Sequence, residues 1–188
     1  MKVFFTSDLH LQSPDGGIIQ WAHRPFKNVL KHDEAMIRGI NSRCKSDDLL
    51  VHVGDFMNYG RNHGIESGRN SFKSYRSQIN CQVVFLLGNH DANNGVKTVG
   101  KTLVSNIGRY RVTVGHYPSW DERFDDVNIP NGMGFRIHLC GHVHDAWKYK
   151  FDYDRRILNV NVGVDAWKYH PVSENELEAF INSILILS

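Results

Sequence analysis

Cysteine is scarce in this chain of 188 residues, and no two cysteines form a CxxC pair. Cys44, Cys81 and Cys140 are odd in number and widely spaced, which argues against a disulfide framework and favours a reducing compartment. The chain also begins in an apolar stretch, MKVFFTSDLH, that lacks the features of a secretory leader. We therefore expect a cytoplasmic protein.

Long apolar runs and a surplus of charge are also missing. The stretch FINSILILS, residues 180–188, is too short and too polar to cross a bilayer, so no membrane association is expected. A formal net charge of +2 predicts neither a dedicated nucleic-acid binder nor a membrane-surface protein. Because the sequence has no repeat, low-complexity tract or linker, residues 1–188 are expected to form one domain.

Short segments rich in Val, Phe, Ile and Leu are predicted as strands. They cover residues 2–7, 48–54, 81–88, 109–116, 135–141 and 156–163. The first three are nearly continuous apolar runs, which is typical of strands buried on both faces of an α/β sheet. Helices are predicted over residues 28–44, 67–79 and 173–185, the last of them with Ser173 and Glu176 in a capping box.

Histidine is abundant, with 11 residues, and metal-binding side chains follow five of the predicted strands. They are Asp8 and His10 after the first, Asp55 after the second, Asn89 and His90 after the third, His116 after the fourth, and His142 with His144 after the fifth. In α/β sheets the carboxyl ends of strands converge on one edge, so these residues should meet. Imidazole and carboxylate together suit transition metals better than calcium or magnesium, and seven ligands would serve two ions that share a carboxylate.

Five sequence blocks give the chain a family resemblance. They are SDLH (7–10), VGDF (53–56), GNHD (88–91), VGHYP (114–118) and CGHVH (140–144). In order and spacing they resemble the calcineurin-like metallophosphoesterase superfamily over nearly the whole chain. RPF (24–26), GHYPSW (115–120) and NVGVDAWKY (161–169) are similar to a compact bacterial and phage branch of predicted phosphoesterases. The resemblance implies two packed sheets flanked by helices, a four-layer α/β sandwich.

The resemblance also implies a role for each residue of the site. Asp8, His10 and His144 would hold a first ion, Asn89, His116 and His142 a second, and Asp55 would bridge the two. His90 matches the catalytic histidine, which contacts the phosphoryl or leaving group. Both ions are expected to be divalent transition metals, with manganese the first choice and iron, zinc or nickel as alternatives.

The expected reaction is hydrolysis of a phosphate ester. A hydroxide bridging the ions attacks phosphorus, and His90 assists the leaving group. A phosphodiester is preferred over a monoester, because the sequence shows no large cap and no cluster of cations for a dianionic phosphate. The substrate is expected to be a small phosphate ester such as a nucleotide or a nucleic-acid end, with no obligatory protein partner. A phosphomonoesterase and a non-catalytic metal-binding interaction module are the alternatives.

Further residues near the predicted edge have two interpretations each. Arg24 would contact substrate phosphate or form a structural ion pair. Trp120, like Trp21 and Phe26, would stack on a base or pack internally. Asn58 stands where several branches carry an aspartate that orients the catalytic histidine, and it could hydrogen-bond that ring without stabilising its charge.

The remaining polar residues are expected away from the ligand set. Asn161 and Asp165 would orient a ligand histidine or form a turn. His52 and His138 are predicted in the core or behind the ligands. His23, His32, His63 and His170 are predicted on the surface.

Overall fold

The computed structural model describes residues 1–14, 17–58, 71–127 and 134–186. Its first sheet has the strand order β3-β2-β1-β9, where β1 is Val3–Thr6, β2 is Leu49–His52, β3 is Gln82–Phe85 and β9 is Val172–Ser173. Strands β1, β2 and β3 run parallel, and β9 pairs with β1 in the antiparallel direction. The three parallel carboxyl ends therefore share one edge.

The second sheet has five strands in the order β4-β5-β6-β8-β7. They are β4 (Thr102–Ile107), β5 (Tyr110–Gly115), β6 (Arg136–Cys140), β7 (Tyr149–Asp152) and β8 (Ile157–Asn161). Strands β5, β6 and β8 are parallel to one another, and the edge strands β4 and β7 are antiparallel to their neighbours. The α/β prediction of two packed sheets is confirmed, since one apolar cluster contains buried residues of both sheets.

Residues of the first sheet are apolar on both faces because both faces are buried. Phe5 and Val51 belong to the cluster between the sheets, whereas Phe4 and Leu50 belong to a second cluster on the opposite face. The burial of these four side chains removes on the order of 10 kcal/mol of unfavourable apolar hydration. This two-sided burial explains the continuous apolar runs in the sequence.

In the second sheet, successive residues of strand β6 face opposite sides of the sheet. Ile137 and Leu139 of β6 face the cluster between the sheets, while the intervening His138 lies on the other face, where the Phe124 ring packs 4.9 Å from it between centroids. Ser119 N donates to Asn159 Oδ1 of β8 at 2.9 Å on this face. The segment 117–127 thus lies against the outer face of the second sheet.

Four α-helices complete the described structure: α1 (Ile18–Trp21), α2 (Val29–Arg43), α3 (Phe72–Ser77) and α4 (Glu174–Ile186). The buried side of α2 packs on the first sheet through Met36 and Ile40. Helix α4 starts at the predicted capping box, in which Glu176 N donates to Ser173 Oγ and Ser173 N donates to the Glu176 carboxylate. None of the helices in residues 1–14, 17–58, 71–127 and 134–186 is long and apolar enough to span a membrane.

Three strands, helix α1 and two short 3₁₀ helices, Asp91–Asn94 and Val164–Trp167, were not among the predicted elements. Strands β4 and β7 are edge strands, and polar residues interrupt their apolar ones, so neither contains a long apolar run. Strand β9 has two residues and helix α1 has four, too few for a periodic pattern. Residues 67–70 of the predicted 67–79 helix lie outside the described residues, and α3 covers its central part.

Candidate metal centre

The carboxyl ends of five strands bring the predicted ligands together. Asp8, His10 and Asp55 follow β1 and β2 of the first sheet, and all three are buried. His10 Nε2 lies 3.8 Å from Asp8 Oδ1 and 3.6 Å from Asp55 Oδ2. His116 follows β5 of the second sheet, and its Nε2 lies 3.4 Å from Asp55 Oδ2. The site therefore sits where the edges of the two sheets meet.

The ligand atoms form overlapping groups around the two buried aspartates. Asp8, His10 and His144 offer atoms within 4.8 Å of one another, and so do Asp8, Asp55 and His116. Asn89 Oδ1 lies 3.1 Å from His116 Nε2. Asp55 also forms a group with His10 and His90. Its carboxylate therefore lies between His10 on one side and His116 on the other.

His142 and His90 lie at the outer side of these groups. The backbone N of His142 donates to the Asp8 carboxylate at 3.0 Å, and its ring centroid lies 5.2 Å from that of His116. His90 donates its backbone N to Asp55 Oδ1 at 2.9 Å. The His90 side chain is 40% exposed, and its Nε2 lies 3.9 Å from Asp55 Oδ2. It is thus placed to meet a ligand that enters from solvent.

The backbone of the ligand loops is strained. Five of the seven predicted ligands have positive φ angles. They are Asp8 (60°), His10 (52°), Asp55 (58°), His142 (70°) and His144 (49°). Each such residue costs about 1–3 kcal/mol, and such residues persist where the surrounding structure fixes them, typically at functional sites. Glycine is required nearby, since a Cβ at Gly88 would collide with Asp55 and one at Gly141 with Asp8.

Asp91 fixes the Asp55 loop from behind. Its buried carboxylate accepts the backbone N–H groups of Asp55 and Gly88 at 2.8 and 2.9 Å and of Phe56 at 2.9 Å. Burial and the neighbouring Asp55 charge raise the pKa of Asp91. The carboxylate faces away from the ligand atoms, and it holds two of the ligand-bearing loops together.

Asp165 fixes His144. His144 Nδ1 donates to Asp165 Oδ2 at 3.2 Å, which leaves Nε2 as the nitrogen that could bind a metal. Arg24 holds this carboxylate with two hydrogen bonds of 2.8 and 2.7 Å. Asn161 Nδ2 donates to the carbonyl groups of His144 and Trp147, both at 2.8 Å. Asp165 therefore orients His144, a predicted ligand, and Asn161 holds the turn that carries it.

Arg24 forms the structural ion pair, the second of its two interpretations. Its side chain is fully buried against Asp165. Its Nη1 and Nη2 also donate to the carbonyl groups of Leu9 and Asp8 at 3.0 and 2.7 Å. A guanidinium buried in this way does not face a substrate. Arg24 Nη1 also donates to His32 Nε2 at 2.8 Å, so the prediction of a surface His32 is wrong.

The two tryptophans near the edge differ in position. Trp21 is 67% exposed, and its ring centroid lies 5.0 Å from that of His144. Trp120 is 39% exposed and packs on Trp147, with 5.3 Å between centroids. Of these two tryptophans, Trp21 is thus the one that contacts a predicted ligand histidine, and Trp120 packs toward β7.

Asn58 and the core histidines lie apart from the ligand atoms. Within the described part of the chain, no hydrogen bond joins the Asn58 side chain to His90, and Asn58 N donates to the Leu11 carbonyl at 2.9 Å. His52 and His138 are buried in the strands, as predicted. Residue His63 lies outside the described residues.

Burial and charge determine the protonation of the ligands. Burial lowers the pKa of His10 to about 4, so the ring is neutral and able to bind a metal. Burial opposes the charge of His116, but the Asp55 carboxylate outweighs it and raises the pKa of His116 to about 9. Burial also disfavours the Asp55 charge, yet the hydrogen bond and charge of His116 bring the pKa of Asp55 down to about 2. The buried carboxylates thus attract positive charge.

The residues fit a divalent transition metal. Both ring nitrogens of His10 are buried, and neither has a hydrogen-bond partner among the described residues. Such atoms are rare in folded proteins and need an explanation, which a bound cation supplies. The donor set of imidazole nitrogens and carboxylate oxygens is the one that suits manganese, iron or zinc.

Sequence reasoning missed Arg123 at this site. The residue is 45% exposed at the side chain, and its Nη2 lies 3.2 Å from His142 Nε2. It lies seven residues beyond His116 in an irregular segment, so no periodic pattern marks it. The GHYPSW stretch, residues 115–120, is the sequence feature that could have directed attention to the segment containing Arg123.

Comparison with known proteins identifies the class. The description "Calcineurin-like phosphoesterase superfamily domain" belongs to a family model that matches residues 1–174. The chain therefore belongs to the calcineurin-like phosphoesterase superfamily, whose members use a dinuclear site of divalent metals. Together with the ligand groups, this membership supports a metal-dependent phosphoesterase.

The chain is also similar to individual proteins and solved structures. The uncharacterized protein MJ1445 of Methanocaldococcus jannaschii is 28% identical over 175 residues, covering 92% of this chain and 86% of the relative. The protein of unknown function AQ665 from Aquifex aeolicus has a solved structure with a TM-score of 0.65 and 21% identity over 95% of this chain and 98% of that one. The E. coli phosphoesterase Yfce matches at a TM-score of 0.44 and 18% identity, over 86% of this chain and 78% of that one.

Proposed function

We propose that the protein is a phosphodiesterase that acts with two divalent transition-metal ions. The observation that carries this proposal is the position of Asp55, whose carboxylate belongs to a ligand group on each side. A carboxylate shared in this way suits two neighbouring ions better than one. Asp8, His10 and His144 would hold the first ion, and Asn89, His116 and His142 the second.

The ions would polarise the phosphoryl group and supply an activated water nucleophile at neutral pH. The protein's own contribution is to fix the ligands before substrate arrives. Asp165 sets the tautomer of His144, and the Val53 carbonyl, 2.9 Å from His116 Nδ1, does the same for His116. The buried position of Asp8 and Asp55 excludes water from the ligand atoms behind the substrate.

His90 is the proposed proton donor to the leaving group. Its backbone is fixed by Asp55 while its ring stays partly exposed, 5.2 Å between centroids from His10. An alkoxide leaves poorly until it is protonated, and a histidine at the open side of the site can provide that proton.

The charge at the rim supports the preference for a diester. Arg24 is committed to Asp165, so its guanidinium does not serve the substrate. Arg123 is exposed beside a ligand histidine but is paired with Asp121 at 2.7 Å. The Asp121 charge offsets that of Arg123, so the described part of the rim offers little net positive charge to hold the second negative charge of a monoester. A nucleotide or a nucleic-acid end is the proposed substrate, hydrolysed in the cytoplasm by a single domain without a protein partner.

The test is a paired hydrolysis assay on metal-stripped protein reloaded with manganese, the metal we propose. A chromogenic phosphodiester and its matching monoester are compared at equal concentration, with Asp55→Asn as the inactive control. We expect a higher kcat/KM for the diester and loss of both activities in the control. A higher kcat/KM for the monoester would make the protein a phosphatase. No hydrolysis by protein with both ions bound would leave a metal-binding interaction module.

A further inference from the structure

Arg123 is held at the open side of the site by two neighbours. Its Nε and Nη2 donate to the two carboxylate oxygens of Asp121 at 2.8 and 2.7 Å, and its guanidinium lies 4.1 Å from the centroid of the Tyr117 ring. The Tyr117 ring packs in turn on His116 and His142, with centroid distances of 4.9 and 5.1 Å. An exposed guanidinium is thus fixed in place beside two predicted ligands.

The fixed position leaves part of the guanidinium for another ligand. The carboxylate occupies the Nε–Nη2 edge, and the Nη1–Nη2 edge of the planar fork is the one that matches the oxygens of a phosphate. Nη2 now donates to His142 Nε2. A metal ion bound at this nitrogen would take the lone pair that Arg123 uses and would leave an N–H group free.

We propose that Arg123 binds the phosphoryl oxygens of the substrate next to His142, and so determines how strongly the site holds a phosphate dianion. The assignment rests on the proposed function, because it names the substrate contact of the same site. Arg24 does not compete for this role, since its guanidinium is buried in contacts with Asp165, Leu9 and Asp8. Within the described residues, Arg123 is therefore the arginine that a phosphate from solvent meets beside the ligands.

Charge makes this contact selective. A monoester or free phosphate carries up to two negative charges and gains more from a guanidinium than a diester with one. Removal of the guanidinium should therefore weaken binding of inorganic phosphate and lower kcat/KM for a monoester more than for a diester. Hydrogen bonds to charged groups are strong enough to make the loss about tenfold at this partly exposed position.

The test uses inorganic phosphate as the probe and manganese-loaded protein. Phosphate titration calorimetry compares the wild type with Arg123→Ala and Arg123→Lys, and elemental analysis gives the manganese content of each. The matched control is Arg43→Ala, because Arg43 also pairs with a carboxylate, Glu176, at 2.7 Å, but at the end of α2 beyond the opposite edge of the first sheet. We expect Arg123→Ala to bind phosphate about tenfold more weakly at unchanged manganese content. Arg123→Lys should recover part of the loss, and Arg43→Ala should bind as the wild type does.

Each other result has a definite meaning. Equal phosphate affinity in Arg123→Ala and the wild type would overturn the assignment, and so would a wild type that binds no phosphate. A loss of manganese in Arg123→Ala would also overturn it, because the residue would then act through the metal ligands. Phosphate binding that depends on Arg123, in a protein that hydrolyses neither ester, would uphold the assignment and reject the proposed phosphodiesterase.

Discussion

Single side chains that contact the predicted ligands, without being ligands themselves, should determine how tightly the site binds a metal. Asp165 is one of them, since it accepts the Nδ1 proton of His144 and is itself held by Arg24. Asp165→Asn keeps the volume but removes the charge that fixes the ring. We expect manganese affinity to fall about 10–100-fold, as measured by titration calorimetry. Asp145→Asn, at an exposed residue beside His144, should bind manganese as the wild type does.

The Asp165 prediction needs a measure of folding beside it. Removing one partner of a buried ion pair destabilises a protein by about 3–5 kcal/mol, so the variant should also unfold at a lower denaturant concentration. Titration is therefore carried out at a temperature where circular dichroism shows the variant folded. Unchanged manganese affinity in the folded variant would show that Asp165 serves stability alone.

Asp91 is the second such side chain, and its effect should appear without any metal. Its carboxylate accepts backbone N–H groups from Asp55, Phe56 and Gly88. In Asp91→Asn an amide N–H₂ would face one of these donors, so we expect a loss of about 2–3 kcal/mol in the free energy of unfolding. Urea denaturation of metal-free protein measures it. The exposed Asp125→Asn should change the value by less than about 0.5 kcal/mol.

At the scale of elements, the capping box of α4 links stability to pH. Burial would raise the pKa of Glu176, but hydrogen bonds from Ser173 and the Arg43 guanidinium bring it down to about 2. A lowered pKa in the folded state means that this stabilisation is present above the unfolded pKa near 4.5 and is lost as the pH falls toward 2.

Glu176→Gln should therefore lower the free energy of unfolding by about 1 kcal/mol at pH 7 and by much less near pH 2. Urea denaturation of wild type and variant across this range measures the difference. Glu122→Gln, at an exposed residue outside the helices, is the control. A difference that stays constant with pH would contradict the role of the ionised carboxylate.

The elements that sequence reasoning found are those with a strong local pattern. Strands β1, β2 and β3 were predicted because burial on both faces demands continuous apolar residues. The edge strands β4 and β7 were missed, since their pairing comes from neighbours distant in sequence. The same limit explains Arg24 and His32: Arg24 is buried against Asp165, which is distant in sequence, and His32 is buried where it accepts from Arg24. The predicted ligands lie near one another in the structure because each of them follows a strand, and that position is visible in the sequence.

At the scale of the whole molecule, the candidate metal site lies between the two sheets. His10 and Asp55 come from the first sheet and His116 from the second, so ions bound there would connect both. A ligand that binds only the folded state stabilises it by about 2.7 kcal/mol at a concentration 100 times its Kd. We therefore expect manganese to raise Tm by several degrees over the chelator-treated protein, as measured by differential scanning calorimetry.

Asp55→Asn separates this effect from nonspecific stabilisation by a divalent salt. The variant loses the carboxylate that belongs to two of the three ligand groups, and its Tm should respond little to manganese. Asp154→Asn, at an exposed residue in the turn after β7, should keep the full rise. If manganese raised the Tm of Asp55→Asn as much as that of the wild type, the ions would bind elsewhere. The two sheets would then be held together by the apolar cluster between them without help from the metal centre.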